Sequence, residues 1–180
     1  MKLKFSAEEF CALCILSWPG PLPPFKGVEG VLPYGVKNVV KWKSQLSLKK
    51  LLKKEKGKLE QAGLLQNGEL VDAMITIHFY QKCISIVQEE QHLISFYEAP
   101  EGYVSLNLSN NEDTYEIKKY ETKKEMYNDF EQIGTDTWNG DYKGSAIKVY
   151  QRDEQGKVQF ETIRNDSFVH ILEELVGGSL

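Results

Sequence analysis

The sequence is poor in cysteine and arginine, and it contains no apolar run long enough to cross a bilayer. Its three cysteines, Cys11, Cys14 and Cys83, are an odd number and too few for a disulfide framework. The longest apolar runs are well under the roughly 18 to 20 residues of a transmembrane helix. The run that follows Glu9 lacks a basic leader and a small-residue cleavage site, so we expect no signal peptide. We therefore expect a cytoplasmic protein in a reducing compartment, without membrane insertion.

Motifs for catalysis, metals and nucleotides are also missing. The sequence has no G-x-S-x-G, no P-loop, no G-x-G-x-x-G and no H-E-x-x-H. The C-x-x-C at Cys11 and Cys14 falls inside a predicted helix and has no second pair for zinc, which is typical of buried structural cysteines. A nucleophile pair of Cys83 and His92 has no orienting acid by motif. We therefore predict no catalytic residues, no metal ligands and no cofactor, and we expect a protein that is not an enzyme.

Apolar residues are abundant enough for a substantial core. They make up 41% of the 180 residues, and aromatics make up 11%, far above the content of a disordered chain. At this length we expect a single domain over residues 1–180. Residues 1–82 are predicted to be mainly helical, with a proline-rich connector at 18–35. Residues 83–180 are predicted to form an antiparallel sheet, a helix, a hairpin and a C-terminal helix.

Local signals place the helices. Ser6 and Glu9 have the S-x-x-E spacing of a capping box, which predicts a helix that ends before Trp18-Pro19. From residue 36 to 82 the apolar positions recur with helical spacing, and Gly57 and Gly63 predict interruptions between short helices. Thr122 is predicted to cap a later helix that ends at Ile133, before a loop over 134–144.

After Cys83 the apolar period changes to two, which predicts β-strands. Short connections between the first four strands allow only an antiparallel meander, and a glycine turn joins the last two strands in a hairpin. The predicted fold class is α+β, with a central antiparallel β-meander and flanking short helices. The strands are expected at Cys83–Gln88, Gln91–Glu98, Tyr103–Ser109, Asp113–Glu121, Ala146–Gln151 and Val158–Ile163. Asn165 is predicted to cap the final helix.

The alternation in the meander also suggests a binding surface. One phase is apolar and predicts the core face: Ile84, Ile86, Ile94, Phe96, Val104, Leu106, Leu108, Tyr115 and Ile117. The other phase mixes aromatic and small polar residues without charge on its first three strands, as partner-binding patches do. The candidate partner-binding residues are Leu93, Ser95, Tyr97, Tyr103, Ser105 and Asn107. We expect the rings of Tyr97 and Tyr103 to lie together; a helix of the same chain could instead cover this face.

Charge is distributed unevenly along the chain. The first 58 residues hold twelve lysines and four glutamates, a net charge of +8, and the remainder carries −12. The Lys41–Lys58 segment is strongly basic, so an alternative function is a winged-helix-like regulator that binds nucleic acid. The two arginines, Arg152 and Arg164, lie outside it, and the overall pI is near 5.5. We therefore interpret the segment as a solvated helix face and do not expect nucleic acid as the partner.

The order of predicted elements resembles a known family. Four stretches carry the resemblance: Phe5–Leu16, Leu59–Leu65 leading into Leu70–Phe79, Cys83–Tyr97 and Thr122–Phe130. The pattern resembles the EspG-type chaperones of type VII secretion systems, and in size it is closer to smaller Firmicute relatives such as EsaE. The resemblance implies an α+β fold and a cytosolic chaperone or adaptor whose partner is a helical secretion substrate. Neither the substrate nor the oligomeric state follows from the sequence.

Overall fold

A seven-stranded antiparallel sheet lies at the centre of the protein. The computed structural model describes residues 1–17, 45–88, 91–109, 114–141, 145–164 and 167–177. Within these residues the strand order is β1-β5-β4-β3-β2-β6-β7. The strands are β1 (Lys2–Ser6), β2 (Lys82–Gln88), β3 (Gln91–Ala99), β4 (Gly102–Ser109), β5 (Thr114–Tyr120), β6 (Ser145–Arg152) and β7 (Val158–Ile163). The predicted α+β class with an antiparallel meander is confirmed.

Five α-helices of the described residues flank the sheet, together with a short 3-10 helix at Leu64–Gln66. They are α1 (Ala7–Leu16), α2 (Gln45–Gln61), α3 (Gly68–His78), α4 (Lys123–Asp141) and α5 (Phe168–Gly177). The capping box of Ser6 and Glu9 is confirmed, since both reciprocal hydrogen bonds are present. Thr122 also accepts from the Glu125 amide, as predicted for the cap of α4.

Helices α1, α2 and α3 cover the first face of the sheet, defined as the face that carries Cys83 and Tyr97. Helix α1 packs between α2 and the sheet edge, and α3 lies over β3, β4 and β5. The core on this face includes Phe10, whose ring stacks on Tyr115 at 4.6 Å between centroids. The buried positions of α2 recur three or four residues apart and form one stripe: Leu48, Leu51, Glu55 and Leu59.

Helices α4 and α5 cover the second face, which carries Ile84 and Phe96. The ring of Phe130 in α4 meets Phe96 at 5.5 Å and Phe168 at 5.6 Å, so this side chain joins the sheet to α5. Apolar burial on both faces makes the sheet the middle of three layers. The predicted single apolar phase is therefore wrong: Val104, Leu106, Tyr115 and Ile117 lie in the first-face core, while Ile84, Ile86, Ile94 and Phe96 lie in the second-face core.

The largest differences from the sequence predictions are one additional strand and two longer helices. Residues Lys2–Ser6 form a strand that pairs with β5, which sequence reasoning missed. Helix α2 continues through Gly57, and α4 continues through Gly134 to Asp141 where a loop was predicted. The connector at 18–35 and the cap at Asn165 lie outside the described residues. Across the described parts of the chain, no helix combines the length and apolarity needed to span a membrane.

Candidate functional site

The structure does not bring the six predicted partner-binding residues together. In the β3–β4 ladder, Tyr97 lies opposite Val104, whereas Tyr103 lies opposite Glu98. Directly paired residues point to the same face, so Tyr97 is on the first face and Tyr103 is on the second. The predicted juxtaposition of these two rings is wrong. The physical reason is the turn. Because Ala99 pairs with Gly102, the loop between β3 and β4 has two residues, and odd-numbered residues of β3 share a face with even-numbered residues of β4.

Burial separates the six residues further. Ser95 and Tyr97 are each 7% exposed beneath the first-face helices, and Ser105 is 4% exposed on the second face. Ser105 bonds to the hydroxyl of Tyr120, which in turn donates to Asp129 of α4. Leu93 and Tyr103 pack partly buried against the second-face core, and Asn107 is exposed. Partner binding by this set stays a prediction, and it requires movement of the covering helices.

A buried polar cluster lies near the centre of the first face. The hydroxyls of Ser85 and Ser95 are 2.8 Å apart across β2 and β3, and Cys83 Sγ lies 3.7 Å from Ser85 Oγ. Burial raises the pKa of the Cys83 thiol to about 12. Burial also raises the pKa of Tyr97 well above its ordinary value. A thiol with so high a pKa is not a thiolate near neutral pH. The cluster is therefore part of the core packing, and Cys83 is not an activated nucleophile.

The strand register separates Cys83 from His92, the pair that lacked an orienting acid by motif. Cys83 lies opposite Tyr97, whereas His92 lies opposite Val87, four residues farther along β2. Four residues of extended strand span about 13 Å, so the two backbone positions lie far apart along the sheet. The cysteines of the C-x-x-C are both buried and free, and burial raises the pKa of Cys14. Their predicted structural placement is confirmed.

A serine–histidine contact joins Ser17, just after α1, to His78 at the end of α3. Ser17 Oγ lies 3.1 Å from His78 Nε2 and 2.7 Å from the carbonyl oxygen of Leu13. The Leu13 carbonyl can only accept, so the serine donates its single proton there and accepts from the imidazole. In this arrangement the histidine cannot remove the serine proton. The contact therefore anchors the end of α1 to the end of α3 and does not activate a nucleophile.

His78 predicts an acid-sensitive stability. Burial, together with the nearby Arg152 guanidinium, lowers the pKa of His78 from 6.5 to about 4. Between these pH values the unfolded chain binds a proton that the folded protein does not, so stability is full above about pH 6.5 and falls as the pH drops towards 4. We expect a loss of about 2 kcal/mol across this window. Urea unfolding at a series of pH values measures it.

The control for this prediction is His78→Gln, which keeps a polar side chain but does not titrate. The variant is expected to lose less stability than the wild type between pH 6.5 and 4.5, because the carboxylates still titrate while the imidazole does not. Equal pH dependence in the two proteins would contradict burial of His78 as the cause.

The basic segment is described from residue 45 onward as α2. Lys54, Lys56 and Lys58 expose more than half of their side chains, in agreement with the predicted solvated face. Glu55 was not expected in the interior, yet its side chain is 1% exposed and lies 2.9 Å from Lys58 Nζ and 3.4 Å from Lys54 Nζ. These two lysines therefore neutralise a buried carboxylate of their own helix, which reduces the charge available to phosphates.

One part of the first face is left uncovered by the described helices. We define the aromatic shelf as Tyr80, Tyr150, Val158 and Phe160. Tyr150 lies opposite Cys83 in the sheet, and Phe160 lies opposite Tyr150, so these side chains continue the first face outward to β7. Phe160 is 67% exposed and Val158 is 41% exposed. Large side chains exposed side by side at a sheet edge are typical of an interaction surface.

Neighbouring side chains hold the rings of the aromatic shelf in place. The rings of Tyr150 and Phe160 are 5.8 Å apart, and Tyr80 meets Tyr97 at 5.6 Å. Arg152 stacks 4.8 Å above the Tyr80 ring and donates to the carbonyl oxygen of His78 at 3.1 Å. The shelf therefore consists of fixed rings beside a positive charge, an arrangement that suits an apolar partner surface with acidic flanks. Sequence alternation in the last hairpin contained this signal, since Tyr150, Val158 and Phe160 share one phase.

Fold and site together define the protein as an α+β sandwich with an open aromatic surface at one end of its sheet. No protein-family model matches the chain, and no curated protein matches it.

Proposed function

We propose that the protein is a non-enzymatic cytosolic chaperone or adaptor that binds a helical secretion substrate on the aromatic shelf. The observation that carries this proposal is the exposure of Val158 and Phe160 beside Tyr150 on a sheet face that helices cover elsewhere. Helices α1 to α3 already pack on this face against the same kind of apolar surface. A partner helix laid on the shelf would extend that helical layer over β6 and β7.

The chemistry of the shelf specifies the partner helix. Apolar residues at positions i, i+3, i+4 and i+7 would cover the rings, as amphipathic helices do in apolar grooves. Lys148 lies on the same face as Phe160, and Arg152 borders Tyr80. Acidic side chains beside the apolar stripe of the partner would complement these charges and favour one orientation. The expected partner is thus an amphipathic helix with acidic flanks.

The assignment to type VII secretion rests on the order of elements that prompted the resemblance. After the short strand β1, the chain runs from an N-terminal helix through further helices, a four-strand meander, a helix and a hairpin to a last helix. An adaptor needs a docking surface and no reacting groups, and the shelf supplies the surface. These points support the proposal, and the substrate itself must be found by experiment.

Substitution on the shelf tests the proposal. Phe160→Asp places a charge at the centre of the exposed rings, and we expect it to abolish recovery of a helical secreted protein when the tagged chain is purified from its host at moderate salt. The matched control is Val169→Asp on α5, since Val169 is 63% exposed and α5 packs on the other face of the sheet. This control is expected to recover the partner as the wild type does.

Mass spectrometry of the recovered material decides between the outcomes. A secreted protein of helical character that is present with the wild type and Val169→Asp, and absent with Phe160→Asp, supports the proposal. Equal recovery with both variants removes the shelf as the binding site. Recovery of nucleic acid that is released steeply by added salt would reverse the assignment in favour of the regulator alternative.

A further inference from the structure

Strand β7 presents an open edge. Among the strands of the described residues it pairs only with β6, and no other described strand lies along its outer edge. The Asp153 amide donates to the carbonyl of Lys157, so the backbone groups of Lys157 point towards β6. Because this direction alternates along a strand, the amide and carbonyl groups of Val158 and Phe160 point outward, away from the sheet.

The two edges of the sheet differ in how well they are protected against pairing with another chain. The opposite edge, β1, carries Lys2 and Lys4, and lysine on an edge strand disfavours pairing with another chain. Strand β7 reads Val-Gln-Phe-Glu-Thr-Ile, without lysine or proline, and every residue but its last is exposed. An open edge that is apolar on one face and carries no lysine or proline favours addition of another strand.

We propose that β7 pairs antiparallel with β7 of a second copy, so that two chains form a closed dimer with one continuous sheet. A two-fold axis perpendicular to the sheet at Gln159 keeps the first faces of both copies on the same side. This register places Val158 of each copy opposite Phe160 of the other, and their outward backbone groups form reciprocal hydrogen bonds. On the second face, Lys157 of each copy lies opposite Glu161 of the other.

Charge complementarity selects this register. With the axis at Glu161, the two Glu161 carboxylates would face each other, and like charges directly opposite destabilise a sheet. With the axis at Phe160, neither Lys157 nor Glu161 meets an opposite charge. The axis at Gln159 pairs both lysines with glutamates and both valines with phenylalanines. The interface is self-complementary, so it closes as a dimer and does not propagate into fibres.

The dimer does not depend on the proposed function: although Val158 and Phe160 also belong to the aromatic shelf, its register is set by the backbone edge of β7 and the charges of the second face. It would place the two aromatic shelves side by side on one surface. A partner that bridges both shelves would gain contacts without any change in either copy.

Charge exchange at Lys157 and Glu161 tests the register. Both residues are exposed, so substitution there should not affect folding. The wild type is expected to show twice the chain mass of 20.6 kDa by light scattering coupled to size exclusion. Lys157→Glu and Glu161→Lys each replace two attractive contacts with two repulsive ones. Each is expected to weaken dimerisation about tenfold or more.

Combining the two changes gives the decisive result. The double variant Lys157→Glu with Glu161→Lys restores opposite charges and is expected to dimerise like the wild type. A mixture of the two single variants is expected to form a heterodimer, because its cross-strand pairs are again attractive. A wild type that stays monomeric over a dilution series overturns the dimer. A dimer that is insensitive to either single change overturns this interface.

Discussion

Replacing Tyr97 with alanine is expected to lower the free energy of unfolding by about 3 to 5 kcal/mol, as measured by urea denaturation. Tyr97 is 7% exposed under α1 to α3, and its ring meets Tyr80 edge to face. Truncation removes this apolar burial and leaves a cavity that the sheet backbone cannot close. A loss of this size is a large part of the roughly 5 to 15 kcal/mol typical of a folded domain.

The control for Tyr97 is Val169→Ala on the solvent side of α5, which is expected to change stability by no more than about 0.5 kcal/mol. If Tyr97→Ala were as stable as this control, the first-face helices would not cover Tyr97 in solution. Ser95 and Tyr97, the two candidate partner-binding residues on the first face, would then become accessible to a partner. The same measurement thus decides between a covered face and an open one.

Replacing Gly134 with alanine is expected to destabilise the protein by about 1 to 3 kcal/mol, although alanine is the better helix former. Gly134 lies within α4, and a Cβ atom there would be 1.9 Å from Cζ of Phe168. The Phe168 ring is buried, with Trp138 at 5.1 Å and Phe130 at 5.6 Å. Because the ring cannot swing aside between these neighbours, α5 must shift.

Gly57→Ala is the matched control, since Gly57 also lies inside a helix, but a Cβ atom added there would have no heavy atom of the described residues within 4 Å. This change is expected to stabilise the protein by about 0.5 to 1 kcal/mol. Adding Phe168→Leu to Gly134→Ala should recover part of the loss, because the two sites share one contact. Stabilisation by Gly134→Ala alone would contradict the packing of α5 on α4.

Much of the local structure could be predicted from the sequence because its causes are local. The capping box at Ser6 needs only two side chains three residues apart, and it forms as predicted. Strand β7 has the predicted bounds of Val158–Ile163. Period-two alternation identifies a strand whenever its two faces meet different surroundings, and it does so without knowledge of what covers each face.

Tertiary structure decided where those elements meet. The face on which Tyr103 lies depends on the two-residue turn that pairs Ala99 with Gly102, and one residue more or less in such a turn exchanges the faces of the whole strand. Helix α4 runs through Gly134, and the Phe168 ring occupies the space that a side chain there would fill, a contact between residues far apart in sequence. The aromatic shelf was decided in the same way. Alternation along β6 and β7 puts its residues on one face, but their exposure depends on where the helices pack over the rest of the first face.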